Sequence, residues 1–94
     1  MYMHYYFHSQ PLNGVRVTIA GKYEPEAKIL KIAAARCSKK DVFNKKIGRR
    51  IASGRLEANI LAYIDEIDDF SIKKFIKIAN MISKTVSLTS KIQY

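Results

Sequence analysis

Apolar and polar residues alternate with a period of two along Val15-Arg16-Val17-Thr18-Ile19, the pattern of a half-buried strand. Successive strand side chains point to opposite faces, so Val15, Val17 and Ile19 are expected in the core. Residues 2–10 are rich in Tyr and Phe, which suit a strand packed on one side. Between the two runs stands Asn13-Gly14, a strong hairpin signal because both residues tolerate positive φ. Gly21 and Glu24-Pro25-Glu26 mark a second turn. Residues 28–36 have enough alanine for a helix, but their place between a turn and a helix start predicts a third strand. Either Tyr2, His4, Tyr6 and His8 or Met3, Tyr5 and Phe7 line the buried side of the first strand, and the pattern leaves both open.

The period then changes to that of a helix. Ser38 and Asp41 resemble a capping box, which sets the first helix at about 39–53. Phe43, Ile47 and Ile51, continued by Gly54 and Ala58, fall within an arc of about 80° and predict the buried stripe. Leu56, Ile60, Tyr63, Ile64 and Ile67 align with one another but not with that stripe. A break near Gly54 and a second helix over about 55–66 resolve the conflict. Ser71 or Asp69 caps a third helix with Ile72, Phe75, Ile76, Ala79, Ile82 and Val86 inward and Lys73, Lys77 and Lys84 outward. The expected fold is α+β: a small antiparallel sheet, made of the N-terminal hairpin plus a third strand, packed on one face by two to three C-terminal helices. The chain of 94 residues is read as a single domain over 1–94, β-rich to 37, helical over 38–86, with a polar tail over 87–94.

Charge changes the picture more than composition does. Seventeen Lys and Arg against eight Asp and Glu give a net charge of +9. The charges come in blocks. Residues 39–56 hold seven cations and Asp41 alone among acids, whereas residues 57–70 hold five acids and no cation. On a helical wheel Lys39, Lys45, Lys46, Arg49 and Arg50 cover an arc of about 140° opposite the Phe43–Ile51 stripe, and Lys40 and Arg55 belong to the same basic block. A basic helix face can follow a phosphate backbone and release its condensed counterions. Lys39, Lys40, Lys45, Lys46, Arg49, Arg50 and Arg55 are therefore the candidate binding residues for nucleic acid or an acidic partner. A solvated face that only keeps the protein soluble is the competing reading.

Residues 36–56 are the most distinctive stretch. Cys37-Ser38, Lys40-Asp41, Phe43, Lys45-Lys46, Gly48-Arg49 and Ala52-x-Gly54-Arg55 resemble a run found in short basic proteins of bacteriophages and prophages. The resemblance covers about twenty residues. It implies a host-takeover or anti-defence factor, of the kind that inhibits CRISPR systems, and a host nucleoprotein defence complex as the partner.

Catalytic and metal chemistry find little support. Cys37 is the sole cysteine, which is read as excluding an intramolecular disulfide and any Cys-based zinc site and suggests a reducing compartment. Its neighbours Arg36 and Lys39 and the expected helix start would lower its pKa, though a buried residue at a strand end is the better account. His4 and His8 would stand roughly 13 Å apart on one strand face, too far for joint work. No phosphate-binding loop, dinucleotide fingerprint or nucleophile elbow occurs. No catalytic residue, cofactor or metal is expected. Tyr2, Tyr5, Tyr6 and Phe7 fit core packing, or contact across a homodimer, better than base stacking. No apolar run nears the roughly 18–20 residues of a membrane span, and residues 1–8 lack the features of a secretory leader, so a cytoplasmic protein without membrane contact is expected. The expected function is non-enzymatic binding of nucleic acid, or of an effector that handles it, through the basic helix. The alternative is a protein–protein inhibitor that never touches nucleic acid.

Overall fold

The computed structural model describes residues 3–38 and 41–88. Four strands, β1 (His4–His8), β2 (Arg16–Glu24), β3 (Ile29–Cys37) and β4 (Ala62–Ile64), form one antiparallel sheet in chain order. Two helices complete the fold, α1 (Lys45–Ala58) and α2 (Ile72–Val86). The architecture is α+β, with helices packed on a small sheet.

The Asn13-Gly14 turn forms as its chemistry dictates. Asn13 and Gly14 have φ of 54° and 79°, and Leu12 and Val15 exchange both backbone hydrogen bonds, at 2.8 and 3.0 Å. The pairs Leu12–Val15 and His8–Thr18 are out of step by one residue, so the first strand bulges over 9–11. There the Ser9 hydroxyl accepts the Val17 N–H at 2.9 Å in place of a ladder bond. Residues 29–37 are the third strand that their position predicted.

The helices do not share a face of the sheet. Val15, Val17, Ile19, Leu30, Ile32 and Ala34 point to one side and meet Phe75, Ala79 and Val86 of α2. Ala20, Ala33 and Ala35 point to the other and meet Ala52 and Leu56 of α1. Both sets of β1 side chains are therefore used: Tyr5 and Phe7 pack with α2, and Tyr6 packs with the α1 cluster. Lining one face with large aliphatic residues and the other with alanines gave the strands two apolar sides, so each side required a cover.

The helical stretch also departs from its expected phase. α1 starts at Lys45 and is capped by Asn44, whose side-chain oxygen accepts the Ile47 N–H at 3.1 Å. Ser38 instead hydrogen-bonds the Asp41 carboxylate at 3.0 Å. The buried seam of α1 is Gly48, Ala52 and Leu56, not the Phe43–Ile51 stripe. Small residues win because they let the helix approach an alanine-lined sheet closely. Gly54 faces open space and does not interrupt α1. Beyond the Asn59 cap the expected second helix is replaced by β4, whose Ala62, Tyr63 and Ile64 pair with the free edge of β3. Glu66 at φ 60° is incompatible with a helix running through that segment. In α2, capped by Ser71 as expected, Phe75, Ala79 and Val86 are buried, but Ile72 and Ile76 are 60% and 44% exposed. Phe75 takes the central place by lying on Gly21, where a Cβ would overlap its ring. Ser87 is buried rather than part of a polar tail, and residues 89–94 lie outside the described residues.

Candidate polyanion-binding surface

The two helices run in opposite directions on opposite faces, which gives the molecule two distinct poles. At one pole lie the β1–β2 hairpin, the start of α1 and the end of α2. Phe43 stacks edge-on with His8 at 5.7 Å just before α1 begins, and Arg36 Nε donates to Ser87 O at the end of α2 at 3.0 Å. At the other pole lie the β2–β3 turn, the end of α1 and the start of α2. There Lys22 pairs with Glu57 at 3.9 Å, Lys28 with Asp68 at 2.6 Å, and Lys31 with Glu24 at 3.0 Å. Asp65 and Glu66 follow β4 toward that turn, where Ile67 N donates to Lys28 O at 3.0 Å. Lys74 and Lys77 share a shallow cavity wall with Glu66, Asp68 and Asp69.

Seven of the eight acidic residues thus belong to the turn pole, already interleaved with lysines. The hairpin pole holds Asp41 alone, and Ser38 hydrogen-bonds its carboxylate. Among the described residues, Lys45, Lys46, Arg49 and Arg50 form no ion pair with any carboxylate. Lys45, Lys46 and Arg50 are exposed and Arg49 is half-buried.

Two of these cations work against the helix they sit on. The start of α1 carries the positive end of the helix dipole and no acidic residue in its first turn, yet Lys45 and Lys46 stand there. Each such placement opposes the dipole by about 0.3–1 kcal/mol at low salt, a cost that an anion on this surface would relieve. No family model, no curated protein and no solved structure matches this chain.

The sequence-predicted cations divide into groups. Lys45 and Arg49 lie on the α1 flank that looks toward β1 and β2, and Lys46 and Arg50 follow about 100° further round the helix. Arg55 is separate. Its guanidinium donates to Ala34 O at 2.7 Å, capping the edge of β3 beyond the short β4. Lys39 and Lys40 lie outside the described residues.

Two residues, Arg16 and His8, join the surface that periodicity did not assign to it. Arg16 projects from β2 over the Phe43 ring, 4.0 Å from its centroid, and its Nε donates to Ser9 O at 3.1 Å. His8 Nδ1 lies 2.9 Å from Thr18 Oγ1, while its Nε2 is buried and has no hydrogen-bond partner among the described residues. Burial, then the charges of Lys45, Arg49 and Arg16, push the His8 pKa down to about 4, so the ring is neutral at pH 7. The signal for Arg16 was present in the sequence: its strand position puts it on the same face as Thr18 and Ala20, the face α1 covers.

Cys37 closes β3 and is buried, with its Sγ 3.6 Å from Asp41 O. Because α1 begins only at Lys45, the thiol lacks the helix N-terminus expected beside it. Among the described residues no group of three or more His, Cys, Asp or Glu is placed to hold a metal, and no helix is long and apolar enough to cross a membrane.

Proposed function

We propose that this protein is a non-enzymatic binder of polyanions, which lays the hairpin pole against a nucleic-acid backbone. Lys45, Lys46, Arg49 and Arg50 make the phosphate contacts. The observation that carries the reading is the separation of charge: among the described residues these four cations lack carboxylate partners, while seven of the eight acidic residues are gathered at the far pole and interleaved there with lysines. A solubilising face would gain nothing from leaving lysines at the positive end of a helix dipole, whereas a phosphate-binding face gains from both.

The resemblance of residues 36–56 to phage proteins supports a setting for this binding. In that setting the protein acts on a host defence system such as CRISPR, and meets either the nucleic acid or the nucleoprotein complex that carries it. The exposed acidic pole favours a second reading, a protein–protein inhibitor whose acidic groups face a basic channel.

Mobility shift with random-sequence duplex and single-stranded oligonucleotides at low salt separates the two. Retarded bands support the backbone reading. A folded protein that retards neither strand form eliminates it and promotes the inhibitor.

A further inference from the structure

We propose that His8, Arg16, Lys45 and Arg49 form a cradle for a doubly charged phosphate group. The inference rests on the polyanion reading above and narrows it to nucleic acid with a terminal phosphate, with free phosphate as the source to be distinguished. Three elements bring the groups together: β1 supplies His8, β2 supplies Arg16 and Thr18, and α1 supplies Lys45 and Arg49. The loop residue Phe43 braces them, meeting the His8 ring in a T-shaped contact and the Arg16 guanidinium with its face.

The charge balance selects the ligand. Three cations surround a neutral imidazole, and no carboxylate pairs with them among the described residues. A phosphodiester carries one negative charge and leaves the cluster in excess. A terminal phosphate carries close to two above its second pKa of about 6 and accepts hydrogen bonds from several donors. In the tautomer whose Nδ1 accepts the Thr18 hydroxyl proton, the ring hydrogen sits on the buried Nε2 of His8, which then supplies one donor. An unpartnered buried polar nitrogen is costly, and a phosphate oxygen that reaches it satisfies it.

A bound dianion also reverses the field on the ring. The groups facing His8 are Arg16 and Thr18 from β2 and Lys45 and Arg49 from α1, all cationic or neutral. Phosphate among them favours the imidazolium, so the His8 midpoint rises from about 4 when the cradle is filled.

The test uses the full chain and one single-stranded oligonucleotide in 5′-phosphorylated and 5′-hydroxyl forms. Affinities are read by fluorescence anisotropy above pH 7, and the His8 ring is followed by NMR, with inorganic phosphate and pyrophosphate as further arms. The phosphorylated strand is expected to bind about tenfold tighter and to raise the His8 midpoint. Arg16→Gln should bring the affinity ratio toward one, and Lys45→Gln, at an exposed position, should lower it as well. If both strands bind within about twofold of each other and His8 does not respond, the cradle is wrong while the backbone reading survives. If phosphate alone moves His8 and neither strand binds, the cradle stands and the nucleic-acid reading falls. Silence in every arm overturns both.

Discussion

The two faces of the sheet are packed by opposite means. On the α2 face, Ile19, Leu30, Ile32 and Phe75 are fully buried large side chains, joined by half-buried Tyr5, Phe7, Tyr23 and Phe70, the last two stacked at 4.4 Å. On the α1 face, the contact is mostly Ala20, Ala33, Ala35 and Ala52, with Leu56 as the one large buried residue. Burying a large apolar side chain is worth about 1.5–3 kcal/mol and an alanine far less, so the α2 face supplies most of the cohesion. The α1 face gives up cohesion for proximity. A thin seam holds the helix close to the strands, and that closeness brings Lys45 and Arg49 near His8 and Arg16. Stability and the proposed binding surface are thus carried by different sides of one sheet.

This contrast can be broken most sharply at Phe75. Phe75→Ala should destabilise by about 3–5 kcal/mol in denaturant unfolding, because the ring fills the space above Gly21 and nothing adjacent can replace it. A loss under 1 kcal/mol would show that the α2 face is not the main core. Ala52→Leu attacks the other side. It should cost about 1–3 kcal/mol by overpacking and lift α1 from the sheet, relaxing the depression of the His8 pKa.

Acid acts through the same face. Because the folded-state His8 pKa of about 4 lies below the ordinary histidine value of 6.5, the unfolded chain takes up the proton first as pH falls. Stability from this group is complete above pH 6.5 and is lost on descending toward pH 4. The ring is only partly buried, which keeps this effect below the packing losses. His8→Gln should flatten the stability profile in that window, and an unchanged profile would remove His8 from the buried cluster. The smallest effect is a gain. Gly54→Ala should stabilise α1 by about 0.5–1 kcal/mol, since the site is exposed, helical and open.

The hairpin was legible because Asn13-Gly14 and the Val15–Ile19 alternation are local signals that tertiary contacts did not have to decide. The Ser71 cap and the Phe75, Ala79 and Val86 side of α2 were legible for the same reason. The α1 seam was not. A hydrophobicity pattern weights Phe43, Ile47 and Ile51 above Gly48 and Ala52, yet the partner surface is lined with alanine and admits only small residues at close range. Residues 62–64 read as part of a helix because their pairing partner, the open edge of β3 at Leu30–Ile32, lies some thirty residues away in sequence. Of the candidate site, Lys45, Lys46, Arg49 and Arg50 were visible as a cluster. Arg55 stands apart from them because its guanidinium engages the Ala34 carbonyl, a contact that only the fold shows. Arg16 and His8 were missed because their link to α1 runs through Phe43, across a turn and a whole strand.

The most direct test compares the wild-type chain with a Lys45→Ala, Lys46→Ala, Arg49→Ala, Arg50→Ala variant in oligonucleotide affinity across a series of salt concentrations. Four phosphate contacts predict a slope of log affinity against log salt of about −3 to −4 for the wild type, and a far shallower one for a variant whose circular dichroism is unchanged. A folded variant that keeps the wild-type affinity and slope would contradict the account.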